Sequence, residues 1–158
     1  MLSLLAGFQL EAQVATNSLP LQQFLQLLAQ LQKSPDDVAL RGKIITLSLT
    51  IHPPPDVPDA ATMAEGAAEY AINHAKDKSD YSDAAKEYEK ALLLAPWIAA
   101  DYYKCGSAHE KAEELKEAIR NFKCYLLASP DSEDAQEVKK RIGGLQYADE
   151  KKERKSDK

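Results

Sequence analysis

The chain has 158 residues, enough for one domain of ordinary size, and a formal net charge of −5. That acidic balance argues against broad nucleic-acid binding, which relies on a positive footprint. Two cysteines, Cys105 and Cys124, are too few for a disulfide framework and read as free thiols. Ala, Leu, Glu, Lys and Gln dominate while Gly is scarce, so the composition predicts an all-α fold. No apolar run reaches the length of about 18 residues that a membrane-spanning helix needs.

Residues 1–18 are weakly patterned and expected to be poorly ordered. The first Lys or Arg is Lys33, and no small-residue cleavage site follows Leu2–Leu10 cleanly. The segment therefore reads as an amphipathic lead-in, with a truncated signal peptide as the alternative. The compartment expectation is cytoplasmic, or periplasmic under that alternative.

Pro20 opens a predicted helix whose stripe is Leu21, Phe24, Leu25, Leu28 and Leu31. Ser34-Pro35-Asp36-Asp37 reads as a stop and a new start. A second helix follows, with Val38, Leu40, Ile44, Ile45, Leu47 and Ile51 as its apolar positions. Residues 19–52 thus form a helical hairpin, and the Pro-rich stretch 53–58 is a stiff connector. The stripe of Leu21, Phe24, Leu28 and Leu31 packs on the neighbouring helix or, alternatively, seats a second copy of the chain.

Beyond the connector, the pattern predicts a long helix from Pro58-Asp59 to about Lys78. A turn at Asp80–Asp83 and a helix from about Ser82 to Ala95 come next. Helices from Trp97 to about Glu113, Leu115 to Ala128 and Asp131 to about Leu145 complete the series. The final stretch, 148–158, is a charged tail with nothing apolar to bury and is expected to be disordered.

Pro96 and Pro130 stand 34 residues apart, and the residues before them match position for position. Ala84 pairs with Ala118, Tyr88 with Phe122, Leu92-Leu93 with Leu126-Leu127, and Tyr81 with Leu115. A fixed period with small, aromatic and Pro residues at set offsets marks stacked helical hairpins. Gly106 and Ala118 are small enough for two helices to approach closely, and Tyr88 and Phe122 fill the space between hairpins.

The second unit reads Tyr102-x2-Cys105-Gly106-x2-His109, then Ala118-x3-Phe122 and Pro130; the first gives Ala84-x3-Tyr88 and Pro96. On these residues the chain resembles the tetratricopeptide repeat family, as two repeats and a capping helix over residues 59–147. The resemblance implies a right-handed α-α superhelix of stacked hairpins, with the 19–52 hairpin as a degenerate extra repeat. It also implies a non-catalytic adaptor that holds a partner peptide or helix on a concave face. There are departures from the pattern: Ile72 stands where a small residue belongs, Gly66 lies six residues early, and Tyr125 replaces a small residue.

The resemblance assigns the inner face to the first helix of each repeat. These residues are Glu69, Tyr70, Asn73, Lys76 and Asp77, then Tyr103, Lys104, Ser107, Glu110 and Lys111, with Glu137 and Arg141 from the cap. Tyrosine supplies contact area and the cations fix carboxylates. The carboxylate clamp by which some family members hold chaperone tails is rejected, because Glu69 and Val138 stand where it needs Lys and Arg. Cys105 and His109 share a helical face, as metal ligands or a nucleophile and its base would. No third ligand or orienting acid stands at a defined spacing, so both read as core. No cofactor, metal or catalytic residue is expected. The competing function is a self-associating subunit of an assembly, built through the Leu-rich hairpin.

Overall fold

A computed structural model describes residues 19–156. All regular structure among them is helical, in seven helices: α1 (19–31), α2 (Val38–Ser48), α3 (Asp59–His74), α4 (Lys78–Leu94), α5 (Ala99–Lys111), α6 (Leu115–Ala128) and α7 (Ala135–Ser156). Among the described residues no helix is long and apolar enough to cross a membrane. The expectation for residues 1–18 lies outside the described part.

The chain divides into two compact units, Met1–Asp56 and Val57–Lys158. In the first, Asp37 caps α2 by accepting a hydrogen bond from the Leu40 amide at 2.8 Å, and Arg41 ties back to the Pro35 carbonyl at 2.9 Å. Phe24, Leu31, Leu40, Ile44, Ile45 and Ile51 are buried. The α1 stripe is only partly covered, however, because Leu21 and Leu25 remain 40% and 54% exposed.

In the second unit packing proceeds in chain order: α3 on α4, α4 on α5, α5 on α6 and α6 on α7. Ala84, Ala118, Phe122 and Leu92 are fully buried, as is Tyr88. α5 and α6 pack tightly at Gly106, where an added Cβ would stand 3.0–3.2 Å from the Phe122 ring. Tyr102 is buried, and its hydroxyl donates to the Pro96 carbonyl at 2.9 Å, fixing the turn that leads into α5.

Several boundaries differ from the sequence reading, among them the start of α7, which lies at Ala135 and not at Asp131. α3 ends at His74, and α4 begins at Lys78 instead of near Ser82. Local capping explains this: Asp77 accepts from the Asp80 amide at 3.1 Å, while Asp80 accepts from the Lys76 amide at 2.8 Å. Asp80, expected in a turn, instead closes the first turn of α4. α5 is shorter than expected at both ends. The charged tail is helical as far as Ser156. An Arg154–Glu150 pair along the helix and a Lys116–Glu153 bridge at 2.7 Å to α6 give the polar segment partners that its composition does not reveal.

The α5–α6 turn is closed by Glu113 at φ 62°, in the left-handed region that favours glycine. The Glu113 amide returns to the Glu110 carbonyl at 3.0 Å and the Glu114 amide to the His109 carbonyl at 2.9 Å. This Schellman-type ending folds Glu114 back onto the last turn of α5.

Candidate functional site

Side chains on α3, α5 and α7 meet in two groups. In the first, Lys104 from α5 donates to Glu65 at 2.8 Å and to Glu69 at 2.6 Å, both on α3. Beside them Asp101, 1% exposed, accepts no hydrogen bond on either carboxylate oxygen, and its protonated form donates to Glu65. Burial first, and the charge of Glu65 second, push its pKa up to about 7. The Lys104 hydrogen bond holds Glu65 below the usual carboxylate value. Burial pulls the Lys104 ammonium down, but its bonds to Glu65 and Glu69 outweigh that and leave its pKa raised. Burial pushes the neighbouring Tyr88 phenol up to about 12, so it stays neutral.

In the second group, Arg141 from α7 donates to Glu110 at 2.6 Å and to the Tyr103 hydroxyl at 3.2 Å. Its guanidinium carbon lies 4.6 Å from the Phe122 ring centre and 5.6 Å from that of Tyr103. Tyr103 meets Phe122 and Tyr125 edge-on at 5.7 and 5.4 Å. Tyr125, the departure noted in the repeat pattern, donates its hydroxyl to Asp134 just ahead of α7, at 2.6 Å. A large residue is accommodated there because its polar end has a partner.

The structure therefore brings together Glu69, Tyr103, Lys104, Glu110 and Arg141 of the expected lining. Others lie apart. Lys76 and Asp77 belong to the α3–α4 connection and its cap, because α3 stops at His74. Tyr70 stacks on His74 with ring centres 4.0 Å apart and is 67% exposed. Lys111 sits over the Tyr81 ring of α4, at 4.9 Å, and so is engaged away from both groups. Asn73 and Glu137 are exposed, and Ser107 is half-buried. The sequence reading missed Glu65 and Asp101. Glu65 lies four residues before Glu69, one turn up the same face, which is the signal that could have found it.

A separate polar cluster lies where α4, α5 and α6 meet. His109 is 4% exposed; its Nδ1 donates to Glu114 at 2.6 Å, and its Nε2 lies 3.3 Å from Glu89. Arg120 donates to the same Glu89 oxygen at 2.6 Å, and Ser82 donates to Glu114 at 2.7 Å. Burial opposes charge on His109, but its bonds to Glu89 and Glu114 outweigh this and raise its pKa. The orienting acid that the sequence did not reveal is thus Glu114, and a candidate third ligand is Glu89. Neither stands at a spacing that announces it, because tertiary packing and the α5–α6 turn deliver them.

Compared with known protein families, characterised proteins and solved structures, the chain gives no match.

Proposed function

We propose that the chain is a non-catalytic adaptor of tetratricopeptide type, its hairpins stacked as a right-handed superhelix that holds a partner segment against α3, α5 and α7. The observation that carries this reading is the ladder of half-exposed ion pairs across those helices. Lys104 to Glu65 and Glu69, and Arg141 to Glu110 and Tyr103, join residues 31 to 39 apart in sequence, bracketing the 34-residue period. Equivalent helices of successive hairpins thus face one another. The lining combines an aromatic platform with charges that can exchange partners. A carboxylate on an incoming peptide would compete with Glu110 for Arg141, while the Tyr103 ring supplies contact area.

The test is affinity capture from source lysate with the native chain, a Tyr103→Ala, Lys104→Glu, Arg141→Ala variant, and a Lys111→Glu control matched for helicity. A partner lost only from the triple variant supports the adaptor reading. Identical partners from all three chains overturn it.

A second reading, self-association through the N-terminal hairpin, is favoured by the exposure of Leu21 and Leu25 on α1. Solution mass decides it: a strict monomer at tens of micromolar rules it out.

A further inference from the structure

We propose that Glu89, Cys105 and His109 form a binding site for a divalent transition metal, with zinc the ion their chemistry fits best. The three come from two helices, and their ligand atoms all lie within 4.8 Å of one another. Thiolate, imidazole and carboxylate together match the mixed sulfur, nitrogen and oxygen set that zinc accepts. Calcium and magnesium, which take oxygen ligands, are disfavoured.

The geometry is close to what a tetrahedral ion needs. Bonds of about 2.0–2.1 Å to nitrogen and oxygen put those two atoms about 3.3 Å apart. His109 Nε2 and Glu89 Oε1 already stand 3.3 Å apart. With a Zn–S bond of about 2.3 Å the sulfur belongs about 3.5 Å from each, so Cys105, whose thiol donates to the Ala85 carbonyl at 3.6 Å, needs at most about 1.3 Å of further approach in exchange for that weak bond.

The surroundings also suit a metal. A ligating histidine ordinarily donates its other ring N–H to a carboxylate, and ligating carboxylates are themselves hydrogen-bonded. Here His109 Nδ1 donates to Glu114, which is itself held by Ser82, and Arg120 holds Glu89. Nε2 is thereby the nitrogen turned toward Glu89. With Cys105 ionised, the thiolate and two carboxylates outnumber the Arg120 guanidinium by two, and the nearby Lys86 is exposed and paired with Asp83, so the surplus suits a divalent cation. Three protein ligands leave a fourth position for water or an external donor, and the Glu89 side chain, 38% exposed, marks the side from which the ion enters.

The test uses the full chain, stripped with chelator and titrated with cobalt chloride. The expected result is one ion per chain, a sulfur-to-cobalt charge-transfer band in the near ultraviolet, and displacement by zinc chloride. Cys105→Ser abolishes the band, and Cys124→Ser keeps it. Glu114→Gln, acting through His109, keeps the band but weakens affinity by about 10- to 100-fold. No band in the native chain, or a band that survives Cys105→Ser, overturns the proposal. Should Cys105→Ser fail to fold, the native chain still decides: its thermal midpoint must rise with zinc and not with magnesium. Equal midpoints with and without zinc mean that His109 serves only as a proton-bearing bridge between Glu89 and Glu114.

Discussion

Replacing Asp101 by asparagine should stabilise the second unit, and by an amount that depends on pH. The side chain is buried beside Glu65, accepts no hydrogen bond on either oxygen and bonds to Glu65 only in its protonated form, so its ionised form is unfavourable in the fold. Moving a carboxyl from 3.8 to about 7 corresponds to on the order of 4 kcal/mol in favour of the protonated form. The folded unit holds this proton up to about pH 7, whereas the unfolded chain releases it near pH 4. The folded state therefore binds more protons between those values, and stability from this residue falls as pH rises through that window. Asparagine has nearly the same shape and no charge to desolvate. Measured against the native chain, Asp101→Asn should gain progressively from about pH 4 and level off above about pH 7, by up to about 4 kcal/mol. The assay is urea unfolding followed by the fluorescence of Trp97, the chain's one tryptophan, which lies in the second unit. A difference that stays constant with pH would refute the reasoning. So would one that grows toward acid, since it would mean that ionised Asp101 is satisfied in the fold.

Gly106→Ala should destabilise the same unit by about 1–3 kcal/mol, because its Cβ would press on the Phe122 ring. Gly143→Ala, in α7 with nothing within 4 Å, should instead stabilise by about 0.5–1 kcal/mol; Trp97-monitored unfolding of both variants checks the contrast. Tyr102→Phe should cost about 1–2 kcal/mol by leaving the Pro96 carbonyl without its donor, read as a lower urea midpoint with an unchanged slope.

Periodicity made much of this fold legible. Ala84, Tyr88, Ala118 and Phe122 are core positions in the sequence and buried in the structure, and α6 begins and ends as read. Gly106 was identified as a contact point from its size alone, and the Phe122 ring lies against it. Where the reading failed, a local interaction overruled the pattern. The Asp77–Asp80 cap moved a helix start, and charge pairing carried α7 through a segment with no apolar stripe.

The polar groups on α3, α5 and α7 were half legible for a related reason. Helical spacing places Glu69 and Lys104 on definite faces, but it cannot say that Lys111 turns to Tyr81 or that Asp101 is sealed from water.

By itself, then, the sequence determined an all-helical chain, its repeat period and the identity of its small and aromatic contact residues, because those follow from spacing along a helix. Only the tertiary structure decided which charges meet. Glu89, His109 and Glu114 converge because three helices and a left-handed turn place them within a few ångströms, and no spacing along one helix encodes that distance.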